Sequence, residues 1–594
     1  YRSVAERLAP LAYAAADPAS PHRGRADLVD YAVAAVDWLV SECRPAGWWF
    51  RKRPPEGDPN VNRFTLAPLL DGVRWLRMIP AGEEAWPRWR DSLDRAVALQ
   101  RRAYSGEEPW DWGGRAGGEY ANQDLYAVLI MALSAELYDR PADAVWARDM
   151  TRRVADNLLP QGGIHYIGVE NEAPVYHGLN LVILARYAQL TGDPAATALL
   201  RDTAEYWPLT CSAEGQPEYW SDVWWKQTWG DVRSAPLVVA AGGTGDARNI
   251  GLLWRVLARR PPEDRGWWGL CCAPYWPGDR EGVALPERFV VPDRNMRGLR
   301  GRNGTWYFGV CRGRGLRNTF VGGMVTDPEA TQPLTGAFRG AQIDVQPARV
   351  SWRGYGHWLS QQNDRAGLAL QPESACALGV RYRLQPGKIN GWPPPETPAT
   401  PLQVTQVWLA SGRGHVGMIV LEALEDFPAH RVVGRVALGP ADPLRNGDGS
   451  WSAGPLTVKL YESFGRVSQG PTPHHTWKPE RAWHGVLMTA ECGEVLRAGE
   501  RYVTCVWVGP DPAEAPVRVV RLPGDIGWTA AGADGSRRAV LFNPGTSAVS
   551  AELPGFREDA SAWSGEDGRR VTLGRTGAGA GVRLEPGACT IVEE

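Results

Sequence analysis

The residues best suited to chemistry lie in one stretch of the first half of the chain. Residues 160–180 read PQGGIHYIGVENEAPVYHGLN and hold two of only nine histidines, His165 and His177. Tyr176 stands directly before the second histidine. Imidazole and phenol groups transfer protons in catalysis, and an unperturbed imidazole titrates near neutral pH. This stretch therefore predicts proton-transfer chemistry, with His165 and Tyr176 as the principal groups and His177 as a supporting residue.

Two further polar residues stand at the starts of other predicted helices. Asn122 opens the apolar segment 121–138, and Arg233 follows Asp231 just before another helical segment. Each candidate also has a structural explanation, because Asn122 is a suitable helix cap and Arg233 can simply pair with Asp231. His165 can equally be a hydrogen-bonded residue under a loop, and Tyr176 a packing residue. The recurrence of polar groups at successive helix starts favours a single shared rim.

Tryptophan is unusually abundant, with 29 in 594 residues, and many occur in pairs near helix ends. The apolar face of a sugar ring stacks on a flat aromatic ring, and polar neighbours fix its orientation. The alternative is that these rings fill a large core. We predict that a sugar chain is held by Trp48, Trp49, Trp110, Trp112, Glu172, His177 and Trp225.

The elements that must position these residues change in type along the chain. Up to about residue 260, apolar residues recur at three- and four-residue spacing. Amphipathic helical segments alternate there with fully apolar ones, which predicts an outer and an inner ring of helices, an α/α toroid over 1–272. Short alternating runs then predict an antiparallel β-sandwich over 288–510 and a small β domain over 515–594. The fold class is therefore α+β and multidomain.

Composition excludes several classes of protein. The formal net charge of −2 excludes a nucleic-acid binder that works through a general basic surface. No apolar run is long enough to cross a membrane. The cysteine spacing and the lack of an HExxH motif offer no metal site, and we expect no cofactor. The chain begins at Tyr1 without a signal peptide, as a processed protein would, and we expect a secreted or periplasmic location.

One local basic run stands out against this balanced charge. Seven arginines lie between residues 294 and 317 with no acidic residue among them. The run predicts either a patch for a polyanion or the solvated face of a hairpin, and the sequence leaves both open. It gives no indication of the oligomeric state.

The order Asn, His, Tyr and Arg resembles that of the polysaccharide lyases of the chondroitinase AC/hyaluronate lyase and heparinase/alginate lyase type. Residues 161–193, QGGIHYIGVENEAPVYHGLNLVILARYAQLTGD, are similar to the family stretch in which a turn, a His and a Tyr precede a long apolar helix. Residues 110–133, WDWGGRAGGEYANQDLYAVLIMAL, resemble the segment that carries the family's Asn. The DVRS of 231–234 is similar to a later element that supplies an Arg.

This resemblance implies a helical toroid followed by antiparallel sheets, and β-elimination at a 4-linked uronate. Asn122 is implied as the group that holds the substrate carboxylate, with help from His165. Tyr176 is implied as the proton donor to the leaving oxygen. The base stays open between Tyr176, activated by Arg233, and a neutral His165. No metal is required.

Two other classes of function remain open from the sequence. A glycoside hydrolase would use two carboxylates across a cleft, for which Glu119, Glu172, Asp111 and Asp222 stand at plausible loop ends. A non-catalytic glycan-binding protein would bind sugar without turnover. We favour a polysaccharide lyase whose partner is an acidic, uronate-containing polysaccharide.

Overall fold

The computed structural model describes most of the chain in fifteen segments. They are residues 1–45, 47, 49, 59–105, 120–165, 174–218, 233–259, 266–312, 320–326, 336–347, 359–386, 399–439, 442–472, 483–577 and 579–594. The chain divides into two compact units. The first comprises Tyr1–Cys211 and Val232–Leu285, and the second comprises Ser212–Asp231 and Pro286–Glu594.

The first unit is helical. In its described residues the helices are α1 (Arg2–Ala16), α2 (Ala26–Glu42), α3 (Pro59–Leu76), α4 (Pro80–Ser105), α5 (Ala121–Tyr138), α6 (Pro141–Asp156), α7 (Pro174–Thr191), α8 (Pro194–Asp202), α9 (Tyr206–Thr210), α10 (Ser234–Thr244), α11 (Ala247–Leu257) and α12 (Trp267–Cys272). Helix α5 is buried on nearly all sides and α10 likewise, whereas α6 exposes one charged face. This difference follows from their sequences, since α5 and α10 carry apolar residues all round and α6 does not.

The buried helices pack on one another in a series that returns to its start. Helix α1 contacts α3, α3 contacts α5, α5 contacts α7, α7 contacts α10 and α12, and α12 contacts α1. Helices α2, α4, α6 and α8 each pack against members of this series.

Side-chain contacts give the direction of neighbouring helices in the series. At their amino-terminal ends, Arg63 of α3 donates to Gln123 of α5. At their carboxyl-terminal ends, Arg74 of α3 donates to Glu136 of α5 at 2.7 Å. Helices α3 and α5 therefore run parallel, and their amino-terminal ends lie side by side.

The second unit is built of antiparallel sheets. Its described strands are β1 (Arg288–Asp293), β2 (Gly298–Asn303), β3 (Trp306–Cys311), β4 (Phe320–Val325), β5 (Ala337–Pro347), β6 (Leu359–Gln371), β7 (Ala375–Pro386), β8 (Leu402–Ser411), β9 (Gly414–Ala423), β10 (Phe427–Leu438), β11 (Leu444–Arg445), β12 (Trp451–Ala453), β13 (Leu456–Glu462), β14 (Arg466–Thr472), β15 (Trp483–Glu491), β16 (Val495–Leu496), β17 (Arg501–Gly509), β18 (Arg518–Arg521), β19 (Gly527–Ala531), β20 (Arg537–Phe542), β21 (Val549–Pro554), β22 (Ser561–Ser564), β23 (Arg569–Arg570), β24 (Gly574–Thr576), β25 (Gly579–Leu584) and β26 (Cys589–Glu593).

These strands form four sheets with three shared cores. A nine-stranded sheet has the order β1-β2-β3-β4-β5-β10-β15-β14, with β16 paired to β10, and an eight-stranded sheet has the order β11-β12-β13-β17-β9-β8-β7-β6. Apolar residues of both sheets share one core. A second core joins the eight-stranded sheet to the six-stranded sheet β18-β19-β20-β26-β22-β23, and a third joins that sheet to β21-β25-β24. The prediction of helices followed by antiparallel sheets is confirmed.

The arginine run of 294–317 includes buried ion pairs of the second unit. Strand β2 carries Arg300, which is fully buried and pairs with Asp293 at 2.6 Å and Glu218 at 3.0 Å. Arg302 is also buried and lies 3.5 Å from Glu214. For these two residues both expectations, a polyanion patch and a solvated hairpin face, are wrong, because their charges are closed off by carboxylates within the fold.

Candidate active site at the amino-terminal ends of the helices

Helix α5 begins with a polar sequence whose side chains have separate tasks. Asp124 accepts the backbone N–H of Tyr120 at 3.1 Å and the hydroxyl of Tyr104 at 2.8 Å. Burial raises the pKa of Tyr104 well above its usual value, so this phenol stays a donor. The acid near the helix start thus secures the entry of the chain into α5.

Asn122 has no such task in the helix. The residue at the cap position of α5 is Tyr120, so the explanation of Asn122 as the cap is wrong. Asn122 is only 5% exposed, and its Oδ1 has no hydrogen-bond partner. A buried polar atom left unpaired costs about 1–3 kcal/mol. The Oδ1 atom of Asn122 can therefore still accept a hydrogen bond, and no described residue donates one to it.

Helix α7 places the two histidines in contact with one segment. The Nδ1 atom of His177 accepts the backbone N–H of Ile164 at 3.2 Å, and Ile164 directly precedes His165. The His177 ring stacks on Tyr206 with 3.6 Å between ring centroids. Burial holds the pKa of His177 well below its usual value, so the ring is neutral and keeps Nδ1 as an acceptor. His177 therefore fixes the segment of His165 against the start of α7.

The turn before His165 requires a glycine. Gly162 has φ of +77°, and a Cβ atom there would lie 2.6 Å from the carbonyl oxygen of Asp202. A left-handed backbone at such a close approach is accessible to glycine alone at low cost. His165 itself is fully buried, while Tyr176 on the first turn of α7 is half-buried.

Helix α10 brings the last predicted catalytic residue to the same kind of position. Arg233 is the residue that precedes α10, it is exposed, and its Cζ lies 5.3 Å from the ring centroid of Trp268. The starts of α7 and α10 approach closely, because a Cβ added at Gly178 would lie 3.1 Å from the Pro236 ring. Asp231 lies outside the described residues, so its pairing with Arg233 stays a prediction.

The four predicted catalytic residues therefore lie at or beside the amino-terminal ends of three helices in contact series. Asn122 begins α5, Tyr176 begins α7 with His165 held beside it, and Arg233 precedes α10. Helix α5 packs on α7, and α7 packs on α10. Backbone N–H groups at helix starts favour negative charge, so this arrangement suits an anionic ligand.

Two of the predicted sugar contacts occupy core positions. Trp49 is 2% exposed and its ring nitrogen donates to the carbonyl of Leu39, so its faces are covered by protein. His177 is fully buried against Tyr206 and acts within the fold. Neither ring is open to a sugar in this conformation, which corrects that expectation for both. Outside the described residues lie Trp48, Trp110, Trp112, Glu172 and Trp225, together with Asp111, Glu119 and Asp222 of the hydrolase alternative.

Sequence reasoning missed two residues near the start of α3. Asn62 and Arg63 are each 2% exposed, and both terminal atoms of Asn62 lack a hydrogen-bond partner. The signal was present in the sequence, since Arg63 stands three residues before Leu66 and seven before Leu70, on the stripe that faces the core. A charged residue is rarely buried on such a stripe unless it has a partner or a function.

The described residues contain no group of three His, Cys, Asp or Glu side chains that could hold a metal ion. The nine cysteines are free thiols. Within the same residues, no helix has the length and apolar character needed to span a bilayer.

Comparison with known proteins gives a match in fold. No protein-family model matches the chain, and no curated protein matches it in sequence. Among solved structures, the chain is similar to the chondroitin AC lyase of Streptomyces coelicolor A3 in complex with chondroitin sulphate, with a TM-score of 0.56 and 14% identity over 100% of this chain and 91% of that chain. It is also similar to a chondroitinase AC lyase solved with oligosaccharides, with a TM-score of 0.54 and 10% identity over 99% of this chain and 88% of that one. This chain therefore has the fold of these two chondroitin AC lyases, as the sequence resemblance implied.

Proposed function

We propose that this chain is a polysaccharide lyase that cleaves a 4-linked, uronate-containing polysaccharide by β-elimination. In this proposal the helical unit is an α/α toroid, and the substrate lies across the amino-terminal ends of its inner helices. The observation that carries the proposal is the buried amide of Asn122 at a helix start that favours an anion. Its Oδ1 forms no hydrogen bond that fixes the side chain, and in the proposal its Nδ2 donates to the substrate carboxylate.

The reaction explains why such an amide is needed. A base removes the proton at C5 of the uronate, and the electron pair left behind spreads onto the neighbouring carboxylate. The C4–O bond then breaks, a double bond forms between C4 and C5, and the leaving oxygen takes a proton. Because negative charge builds up on the carboxyl group, a preorganised amide beside it stabilises the transition state by about 2.7–4 kcal/mol.

Asn122 supplies that amide in the proposed mechanism. Tyr176, half-buried on the first turn of α7, donates the proton to the leaving oxygen. Arg233 stands exposed before α10, and in the proposal it assists Tyr176 when that residue also acts as the base. His165 is the alternative base, and its segment is held by the bond from Ile164 to neutral His177. Proton transfer by a positioned group contributes about 10²–10⁴-fold to the rate.

Product analysis tests the proposal. The protein is incubated with glycosaminoglycans, alginate, glucuronan and rhamnose-capped plant gums, and ultraviolet absorbance reports any unsaturated uronate. A lyase produces this chromophore, whereas a hydrolase releases reducing ends without it. Absence of the chromophore from every polymer would contradict a lyase, and release of reducing ends would then point to paired carboxylates.

A matched pair of variants assigns the reaction to this site. Tyr176→Phe removes one hydroxyl and should lower kcat by orders of magnitude with binding retained, because proton transfer needs the phenolic O–H. Tyr31→Phe on α2 is the control, since Tyr31 is 54% exposed and belongs to a helix outside the proposed site. Near-normal turnover of Tyr176→Phe would remove the assignment.

A further inference from the structure

Arg63 on the first turns of α3 is a buried cation with amide partners only. Its side chain is 2% exposed, its Nε donates to Oε1 of Gln100 at 2.6 Å, and its Nη1 donates to Oε1 of Gln123 at 3.1 Å. Its guanidinium also lies 5.1 Å from the ring centroid of Tyr104. Within the described residues Arg63 forms no ion pair, and its hydrogen bonds go to the two glutamine side chains.

Such a state is unfavourable in a folded protein. Removing a charged group from water costs several kcal/mol, and a buried charge is normally paired with an opposite one. Neutral amide oxygens satisfy two donors of Arg63 but leave its charge uncompensated. Asp124 accepts the hydroxyl of Tyr104, the residue whose ring lies beside the guanidinium.

The surroundings of Arg63 contain further unpaired polar atoms. Asn62 precedes it in the chain and has two terminal atoms without partners. Its partner Gln123 follows Asn122, whose Oδ1 is also unpaired. The adjoining starts of α3 and α5 therefore hold one buried cation and two buried amides with unpaired atoms, since Asn62 precedes Arg63 and Asn122 precedes its partner Gln123 in the chain.

We propose that Arg63 supplies the counter-charge for the carboxylate of the bound uronate beside Asn122, and so restricts the site to acidic sugars. This inference rests on the proposed function and adds to it the group that selects the charge of the substrate. Arg63 stays protonated throughout the elimination. It stabilises the charge that develops when the C5 proton leaves, while Asn122 provides the directional hydrogen bond.

A structural role is the competing explanation, because Arg63 also links α3 to α4 and α5. The two roles differ in what a lysine can replace. Lysine keeps the charge but cannot form the same two bonds to Gln100 and Gln123, since its ammonium is a single point. A charge role is therefore rescued by Arg63→Lys, and a purely structural role is not.

The kinetic arm compares Arg63→Met, Arg63→Lys and the surface control Arg148→Gln on the polymer that the wild type cleaves. Arg148 is exposed on α6, so its loss changes the net charge by the same amount. We expect kcat/KM to fall about 30-fold in Arg63→Met, which is about 2 kcal/mol, and about 3-fold in Arg63→Lys. Equal losses in Arg63→Met and Arg63→Lys, or no loss in either, would overturn the inference. Should Arg63→Met fail to fold, Arg63→Gln takes its place, because it keeps a donor for Gln100.

The binding arm does not depend on turnover. Saturation-transfer NMR compares methyl β-glucuronoside with methyl β-glucoside on the wild type and on each variant. We expect the wild type to bind the glucuronoside in preference, and Arg63→Met to lose that preference. If the wild type cleaves no polyuronate but shows this Arg63-dependent preference, the lyase proposal fails and the anion site stands. An undiminished preference in Arg63→Met would disprove the anion site alone.

Discussion

Two buried arginines of the helical unit have opposite surroundings. Arg186 on α7 donates to both carboxylate oxygens of Asp71, at 2.9 and 2.6 Å, and Asp71 also accepts the ring N–H of Trp267 at 2.8 Å. Burial disfavours the charge of Arg186, but Asp71 outweighs it, and the pKa of Arg186 is raised. Arg63 is buried to the same degree with amide oxygens only. One arginine completes the fold, whereas the other keeps a charge available for a ligand.

The second unit contains another buried arginine that is paired with carboxylates. Arg300 is fully buried between the carboxylates of Asp293 and Glu218. A cation in such a triad has no capacity left for a ligand, and its role is to hold the segment of Glu218 on strand β2. Burial alone therefore does not distinguish an arginine kept for a ligand from a structural one, whereas the lack of a carboxylate partner does.

The largest expected effect is on stability, at the ion pair between Arg186 and Asp71. Asp71→Asn keeps the shape of the side chain but leaves the buried Arg186 without its counter-charge. We expect the free energy of unfolding to fall by about 3–5 kcal/mol, the usual cost of breaking a buried ion pair from one side. Urea-induced unfolding followed by circular dichroism measures the change.

Asp37→Asn provides the matched control for that measurement. Asp37 also pairs with an arginine, Arg88, but both side chains are more than one third exposed. We expect a loss of less than about 1 kcal/mol, since water screens such a pair. Comparable losses for Asp71→Asn and Asp37→Asn would show that burial does not determine how much these ion pairs contribute to stability.

The next effect in size is on catalysis, at Asn122. Asn122→Ala removes the amide that we place on the substrate carboxylate, and we expect kcat to fall about 10²–10³-fold. Stability should change by less than about 1 kcal/mol, because Asn122 neither caps α5 nor satisfies its Oδ1 within the fold. Steady-state kinetics and urea unfolding on the same preparation test both parts. A stable, fully active variant would show that the open amide has no role in turnover.

A smaller effect on stability is expected at Arg63, the buried arginine that has no carboxylate partner. Arg63→Met deprives Gln100 and Gln123 of a donor but leaves no carboxylate unpaired, and it also removes an uncompensated buried charge. We expect the free energy of unfolding to change by about 1–2 kcal/mol at most, well below the effect of Asp71→Asn. The same urea titration gives this value. A loss as large as that of Asp71→Asn would mean that Arg63 holds the fold, as Arg186 does.

Much of the fold could be predicted from the sequence, because periodicity reports which faces are buried. The all-round apolar pattern of 121–138 gave a helix that is buried on nearly every side, observed as α5. Alternation after residue 288 gave antiparallel strands. The arginine run around Arg300 was misread, since the carboxylates that neutralise it come from Asp293, just before the run, and from Glu218, which lies 82 residues upstream of Arg300. Contacts over such separations leave no local pattern.

The residues proposed for the site could be named from the sequence, but their pairing could not. Asn122 and Tyr176 are marked by residue type and by position on the first turn of a helix, and His165 by residue type, all of which a sequence displays directly. Whether a polar residue is paired is a property of three-dimensional neighbours, so the sequence left Asn122 open as a cap and gave no indication of the state of Arg63. The sequence predicts Trp49 as a sugar contact, because nothing in the local sequence indicates that its ring is buried and bonded to the Leu39 carbonyl.

The smallest expected effect concerns the pH dependence of stability at His177. Its folded-state pKa lies well below the ordinary value of about 6.5, because burial of the ring disfavours the protonated, charged form. Above the ordinary value of about 6.5 the ring is neutral in both the folded and the unfolded state, and His177 adds no pH dependence to the stability. Below it the unfolded chain takes up a proton that the folded chain refuses, so stability falls by up to about 1.4 kcal/mol per pH unit.

His177→Asn isolates this contribution, because asparagine offers an acceptor to Ile164 without a titrating group. His415 has a pKa lowered by burial to about 3 and remains in both proteins, so its contribution cancels in the difference. Urea unfolding at about pH 7.5 and about pH 5 should show a steeper acid loss in the wild type than in the variant. Equal slopes would mean that His177 accepts a proton within the fold, and a charged ring could not hold the segment of His165 through Nδ1.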